Sequence, residues 1–186
     1  MNYLEINHLK SILNNSKINY SSKTPFKYVV IDNFLSESLA NLVYNQYPKI
    51  TMEGWNGTTY INQKNKFQKN KFQKNSMLDL LFKDLNSKDF LKWLNKLTGI
   101  SEELYGDEDL FGGGLHQSIN GAFLNVHVDY NIHPKTKMHR RINVLVYLNK
   151  NWKDEYEGHL ELWDMTKKNK NLIEKIAPIF NRCVIF

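Results

Sequence analysis

An imidazole and a carboxylate two residues apart, His127 and Asp129, are the pair in this 186-residue chain with the clearest capacity for chemistry. They sit in Ala122-Phe123-Leu124-Asn125-Val126-His127-Val128-Asp129-Tyr130, which alternates along most of its length. Successive side chains of a strand point to opposite faces. A strand here therefore puts Ala122, Leu124, Val126 and Val128 on one side, and Phe123, Asn125, His127 and Asp129 on the other. A nitrogen donor and an oxygen donor on one face are two thirds of the two-histidine, one-carboxylate set that holds non-haem Fe(II) and leaves positions open opposite. The bare spacing is common by chance, and on a half-exposed strand it reads as a solvated polar face. The surrounding elements decide between the two.

Those elements follow from the apolar pattern. Leu4, Ile6, Leu9, Ile12 and Leu13 have helical spacing over 4–13, and Pro25 to Asp32 is a β-rich run ending at a turn. Ser36 caps a helix whose Leu39, Leu42, Val43 and Tyr47 share a face before Pro48 stops it. Ser76–Leu85 and Ser87–Leu97 read as two more helices, with Gly99 as the stop. From Leu115 the pattern turns to strands: Ala122–Asp129, Arg141–Leu148, His159–Trp163, Leu172–Ala177 and Cys183–Phe186, separated by polar turns. That is the look of an antiparallel sandwich or barrel. Residues 1–186 fit one domain, with a helical flank carrying one early strand over 1–110 and the β core over 111–186. The three glycines between Phe111 and Leu115 lack the Lys-Ser/Thr that a phosphate loop needs.

Composition narrows the partners. The net charge of +6 invites nucleic acid, but no acid lies between Glu53 and Asp79, and that window alone holds Lys64, Lys66, Lys69, Lys71 and Lys74. Without those five lysines the charges nearly balance. The window also contains a tandem repeat, Asn65-Lys66-Phe67-Gln68-Lys69 and Asn70-Lys71-Phe72-Gln73-Lys74. Five residues is too short for a solenoid unit, so the repeat reads as a duplication lengthening a loop or helix, solvated apart from two anchoring Phe. Interleaved Lys and Phe could stack on bases; a nucleic-acid module built on them stands as the least favoured reading. No apolar run approaches a membrane span and the N-terminus lacks a secretion signal, which points to a cytoplasmic chain. The one cysteine, Cys183, reads as a small buried hydrophobe.

The second polar-faced strand supplies context. In Arg141 to Leu148, the residues Ile142, Val144, Val146 and Leu148 share one face, and Arg141, Asn143, Leu145 and Tyr147 share the other. With it, the series His127-Val128-Asp129, Arg140-Arg141, Tyr147-Leu148-Asn149-Lys150-Asn151-Trp152, Gly158-His159-Leu160-Glu161-Leu162, Ile176-Ala177-Pro178 and Asn181 to Phe186 resembles the Fe(II)- and 2-oxoglutarate-dependent dioxygenases. The look is nearest to their prolyl-hydroxylase-like branch. It covers roughly 25–186, weakly over the helices and strongly from Leu115.

The resemblance implies a mostly β fold with N-terminal helices around a double-stranded β-helix (jelly-roll, cupin-like) core. It implies His127 and Asp129 as iron ligands and catalytic residues. Tyr147 matches the strand tyrosine that hydrogen-bonds the distal carboxylate of 2-oxoglutarate in similar enzymes, and Asn143, on its face, is read with it. Gln117 matches a further cosubstrate-pocket position, and Arg140 an arginine near the pocket mouth that contacts substrate or cosubstrate in similar enzymes. The cofactors implied are Fe(II), 2-oxoglutarate and O2, with ascorbate as a candidate accessory. The reaction implied is hydroxylation of a peptidyl (prolyl-like) or small-molecule substrate, coupled to decarboxylation of 2-oxoglutarate to succinate and CO2. His159 stands where the family often has a second glycine and is not recruited to the metal; His116, His133 and His139 read as loop or surface residues. Relatives place a second histidine and a basic cosubstrate anchor beyond the strand matching Cys183–Phe186. The expectation is therefore that the natural protein continues past Phe186, with a His within about 15 residues and an Arg or Lys about one strand later. The 186-residue chain alone is then expected to be inactive. The alternative is a non-catalytic jelly-roll binding protein whose metal triad is genuinely incomplete.

Overall fold

The computed structural model describes residues 3–166 and 170–186 and mixes helices with antiparallel sheets. The chain packs as two compact units: Met1–Lys17 with Leu35–Asn125, and Ile18–Phe34 with Val126–Phe186. Helix α1 (Ile6–Ser22) is longer than its apolar spacing suggested and runs from the first stretch into the second.

In the first unit, α2 (Glu37–Asn45) buries Leu39, Ala40 and Val43, but Leu42 is exposed, contrary to the face expected for it. Ser36 occupies the N-cap position without a side-chain capping bond. The next two helices end as the sequence suggested. In α3 (Met77–Leu85), Ser76 Oγ accepts from the Asp79 N–H at 3.3 Å. In α4 (Lys88–Thr98), Ser87 Oγ accepts from Phe90 N–H at 3.3 Å, and Gly99 leaves the helix at φ 75°, a conformation glycine adopts without strain. Phe90, Trp93, Leu94 and Leu97 form the buried face of α4, and the Trp93 indole donates to the Leu9 carbonyl at 2.7 Å.

Strands β2 (Asn56–Tyr60), β3 (Gln63–Lys69) and β4 (Leu115–Leu124) form an antiparallel sheet in that order. The first two were not anticipated, because the window is polar and lysine-rich. The first copy of the tandem repeat is strand, not loop or helix, with Asn65 at φ 52° where the β3–β4 register shifts. The second copy lies beyond β3, and its Phe72 stacks on Phe82 at 5.0 Å. Gly114 is required just before β4: a Cβ there would stand 2.4 Å from the Lys69 carbonyl oxygen, and its φ is +96°.

The second unit holds the order β1-β8-β5, from β1 (Val29–Ile31), β5 (Val144–Tyr147) and β8 (Arg182–Ile185), and the pair β6 (Leu160–Asp164) with β7 (Asn171–Ile176). Central β8 carries Cys183, Val184 and Ile185, all fully buried, which accounts for its apolar run. Tyr28, Leu162, Ile176 and Val184 form a buried cluster against which Tyr147 and Phe186 pack. The Arg182 guanidinium joins Asp32, just after β1, through two bonds of 2.6 and 2.9 Å. Among the described residues no helix is long and apolar enough to cross a membrane.

The strand expected over Ala122–Asp129 ends early. Its partner β3 starts at Gln63, paired with Leu124; beyond that pair the last bond is Asn125 N–H to the Asn62 carbonyl at 2.9 Å. With no ladder partner, the backbone from Val126 to Tyr130 is irregular. The expected apolar face is not buried there either, since Val126 is 54% and Val128 84% exposed.

Candidate functional site

His127 and Asp129 thus lie on irregular chain, yet their side chains meet: His127 Nε2 is 3.3 Å from Asp129 Oδ1. The other carboxylate oxygen is engaged elsewhere. Asn143 Nδ2 donates to Asp129 Oδ2 at 2.8 Å, and Arg140 Nη2 stands 3.5 Å from the same oxygen. Arg140 also donates from Nε at 2.8 Å, and from Nη2, to Asn143 Oδ1. Its guanidinium lies 4.7 Å over the Tyr130 ring, and its backbone N–H bonds the Asn131 carbonyl at 2.8 Å. Asn143 is held by the sheet. Its N–H donates to Phe186 O at 2.7 Å and its carbonyl accepts from Phe186 N–H at 3.2 Å, extending the β5–β8 ladder by one pair.

Four of the residues singled out from the sequence, His127, Asp129, Arg140 and Asn143, therefore form one connected cluster. Tyr147 lies on β5 in the same unit, among the apolar residues around Tyr28 and Val184. Burial pushes its phenol pKa up to about 12, so it stays a protonated donor at any physiological pH. Gln117 lies on β4 in the other unit, paired with Phe67 and partly buried. The other histidines from His116 onward have local roles. The His116 carbonyl accepts from the Tyr47 hydroxyl at 2.7 Å, and its side chain lines a small cleft with Asn56, Gln63, Lys66, Phe67 and Gln68. Burial pushes the Tyr47 phenol pKa well up. His133 Nδ1 accepts from the Thr136 N–H at 3.1 Å, and His139 forms a bridge with Ile132. His159, expected at a turn, has a buried side chain lying edge-on to Trp152 with Nε2 2.9 Å from Asp154 Oδ1.

The His127–Asp129 contact is an ion-pair distance that two metal donors can also share. Ligands about 2.1 Å from an octahedral ion and at right angles to each other stand about 3.0 Å apart, close to the 3.3 Å seen here. A carboxylate with one oxygen toward the histidine and the other hydrogen-bonded also matches how supporting residues orient metal ligands. The donor set is partial: among the described residues, no group of three or more His, Cys, Asp or Glu side chains is placed to hold an ion. What joined Arg140 and Asn143 to Asp129 was not visible in the sequence; the only signal was their shared proximity to a polar-faced strand.

A model of the 2OG-Fe(II) oxygenase superfamily matches residues 113–186, the stretch that contains every residue named in this cluster and Tyr147 and Gln117 as well. No curated protein matches the chain.

Proposed function

We propose that the chain is a 2-oxoglutarate- and Fe(II)-dependent oxygenase, and that His127 and Asp129 are two of its metal ligands. The observation that carries this is the 3.3 Å approach of His127 Nε2 to Asp129 Oδ1 inside the segment similar to that superfamily. In the finer reading, residues 111–186 belong to a jelly-roll core, and the reaction is hydroxylation of a peptidyl or small-molecule substrate in a cytoplasmic setting. When bound, Fe(II) supplies the redox chemistry of a reaction in which O2 and 2-oxoglutarate give succinate, CO2 and one oxygen atom placed in a substrate C–H bond.

The chain's own residues bind and orient. His127 Nε2 and Asp129 Oδ1 hold the ion, while the Tyr147 hydroxyl donates to the far carboxylate of 2-oxoglutarate. The two-way bonding of Phe186 to Asn143, whose side chain holds Asp129, ties this pair to the sheet. Exposed Val126 and Val128 flank His127 and offer apolar contact to a substrate.

The test is succinate formation by the protein supplied with Fe(II), O2 and 2-oxoglutarate. His127→Ala and Asp129→Ala should each abolish it while circular dichroism stays that of the wild type. Wild-type turnover surviving in either variant removes this pair from the metal site. A complete absence of turnover and of metal binding in the unaltered protein favours the non-catalytic alternative.

A further inference from the structure

We propose that Arg140 and Asn143 are positioning residues that together hold Asp129 Oδ2, so that Oδ1 alone is presented to the ion shared with His127. The inference rests on the metal reading of His127 and Asp129. Asp129 sits on irregular backbone after β4, so its own chain does little to fix its carboxylate. The fixing comes from elsewhere in the second unit. The Asn143 backbone is pinned by two ladder bonds to Phe186, and its Nδ2 reaches Asp129 Oδ2 at 2.8 Å.

The polarity of the network is set as well. Arg140 donates to Asn143 Oδ1, which forces the amide NH2 toward the carboxylate; the flipped amide would point its NH2 at a guanidinium and its oxygen at a carboxylate. Arg140 is anchored in turn over Tyr130 and by its bond to Asn131. With Oδ2 engaged by Asn143 and close to Arg140, Oδ1 is the oxygen left facing His127. A carboxylate free to bind through both oxygens would take up a coordination position that the cosubstrate or O2 needs.

Co(II) titration of the protein tests this without turnover, reading both affinity and the visible d–d spectrum. Asn143→Leu, which keeps the side-chain shape and removes the donor, and Arg140→Ala should each lower Co(II) affinity about 10–100-fold and shift the d–d bands as Oδ2 is released. Arg140→Lys keeps the charge but not the fork that reaches two acceptors, and should recover only part of the affinity. A merely structural role for these residues would change the melting temperature and leave the spectrum of the bound ion alone. Wild-type affinity and spectrum in both Asn143→Leu and Arg140→Ala, with Co(II) binding still abolished by His127→Ala, overturn the positioning role and leave the metal reading standing. Co(II) binding unaffected by His127→Ala overturns both.

Discussion

A protonated phenol can serve a carboxylate ligand only as a donor, and burial moves the Tyr147 pKa still further from the physiological range. Removing that donor leaves a charged group short of one hydrogen bond, a loss of about 1.5–3 kcal/mol. Tyr147→Phe should therefore raise the KM for 2-oxoglutarate by about ten-fold to a hundred-fold, with little change in kcat. Because the pKa lies near 12, the effect should be the same across the physiological pH range. An unchanged KM would make Tyr147 a core tyrosine, which its neighbours Tyr28 and Val184 also allow. At the same scale, His159 shows why residue type alone misleads. A buried imidazole against Trp152, paired with Asp154, needs no metal to account for it.

At the scale of elements, the first unit depends on the close approach of the loop before β4 to the end of β3. Gly114→Ala meets two penalties at once, a positive φ that L-residues rarely adopt and a 2.4 Å collision with the Lys69 carbonyl, which backbone cannot sidestep as a flexible side chain could. Strain of this kind costs about 1–3 kcal/mol. The variant should unfold at correspondingly lower denaturant, whereas Gly99→Ala, strained but with nothing near its Cβ, should lose less. Equal losses at both positions would mean that the approach is not what constrains Gly114.

For the molecule as a whole, acid stability should carry the signature of one exposed but well-formed pair. The Arg182 guanidinium holds the Asp32 carboxyl below the usual carboxylate range, against a smaller opposing effect of partial burial. A carboxylate whose folded pKa is depressed contributes stability above its unfolded pKa of about 3.9 and loses that contribution as pH falls through the folded value. Asp32→Asn should thus cost on the order of 1 kcal/mol near neutrality, a figure discounted for the 55% exposure of Asp32, and the gap to wild type should close below about pH 4. Urea melts of the two proteins across that range measure it; a gap that does not change with pH would mean that the pair is not what Asp32 contributes.

What the sequence determined by itself was local. Ser76, Ser87 and Gly99 mark helix ends because a cap needs only residues within three or four positions of each other. The runs that became β6, β7 and β8 lie within one residue of their expected bounds, and in β8 the burial of Cys183, Val184 and Ile185 writes itself into consecutive apolar side chains. The pairing of His127 with Asp129 needs only a two-residue spacing. Tertiary structure decided what depends on a distant partner. Alternation tells which face a side chain takes but not whether a neighbouring strand is there to continue the ladder, so β4 stops at Leu124 where β3 begins, and the polar window before it becomes β2 and β3. Likewise, Asn143 and Arg140 reach Asp129 across more than ten residues of chain. Only the fold, by tying Asn143 to Phe186, could aim their donors at one carboxylate oxygen and leave the other for His127 to share.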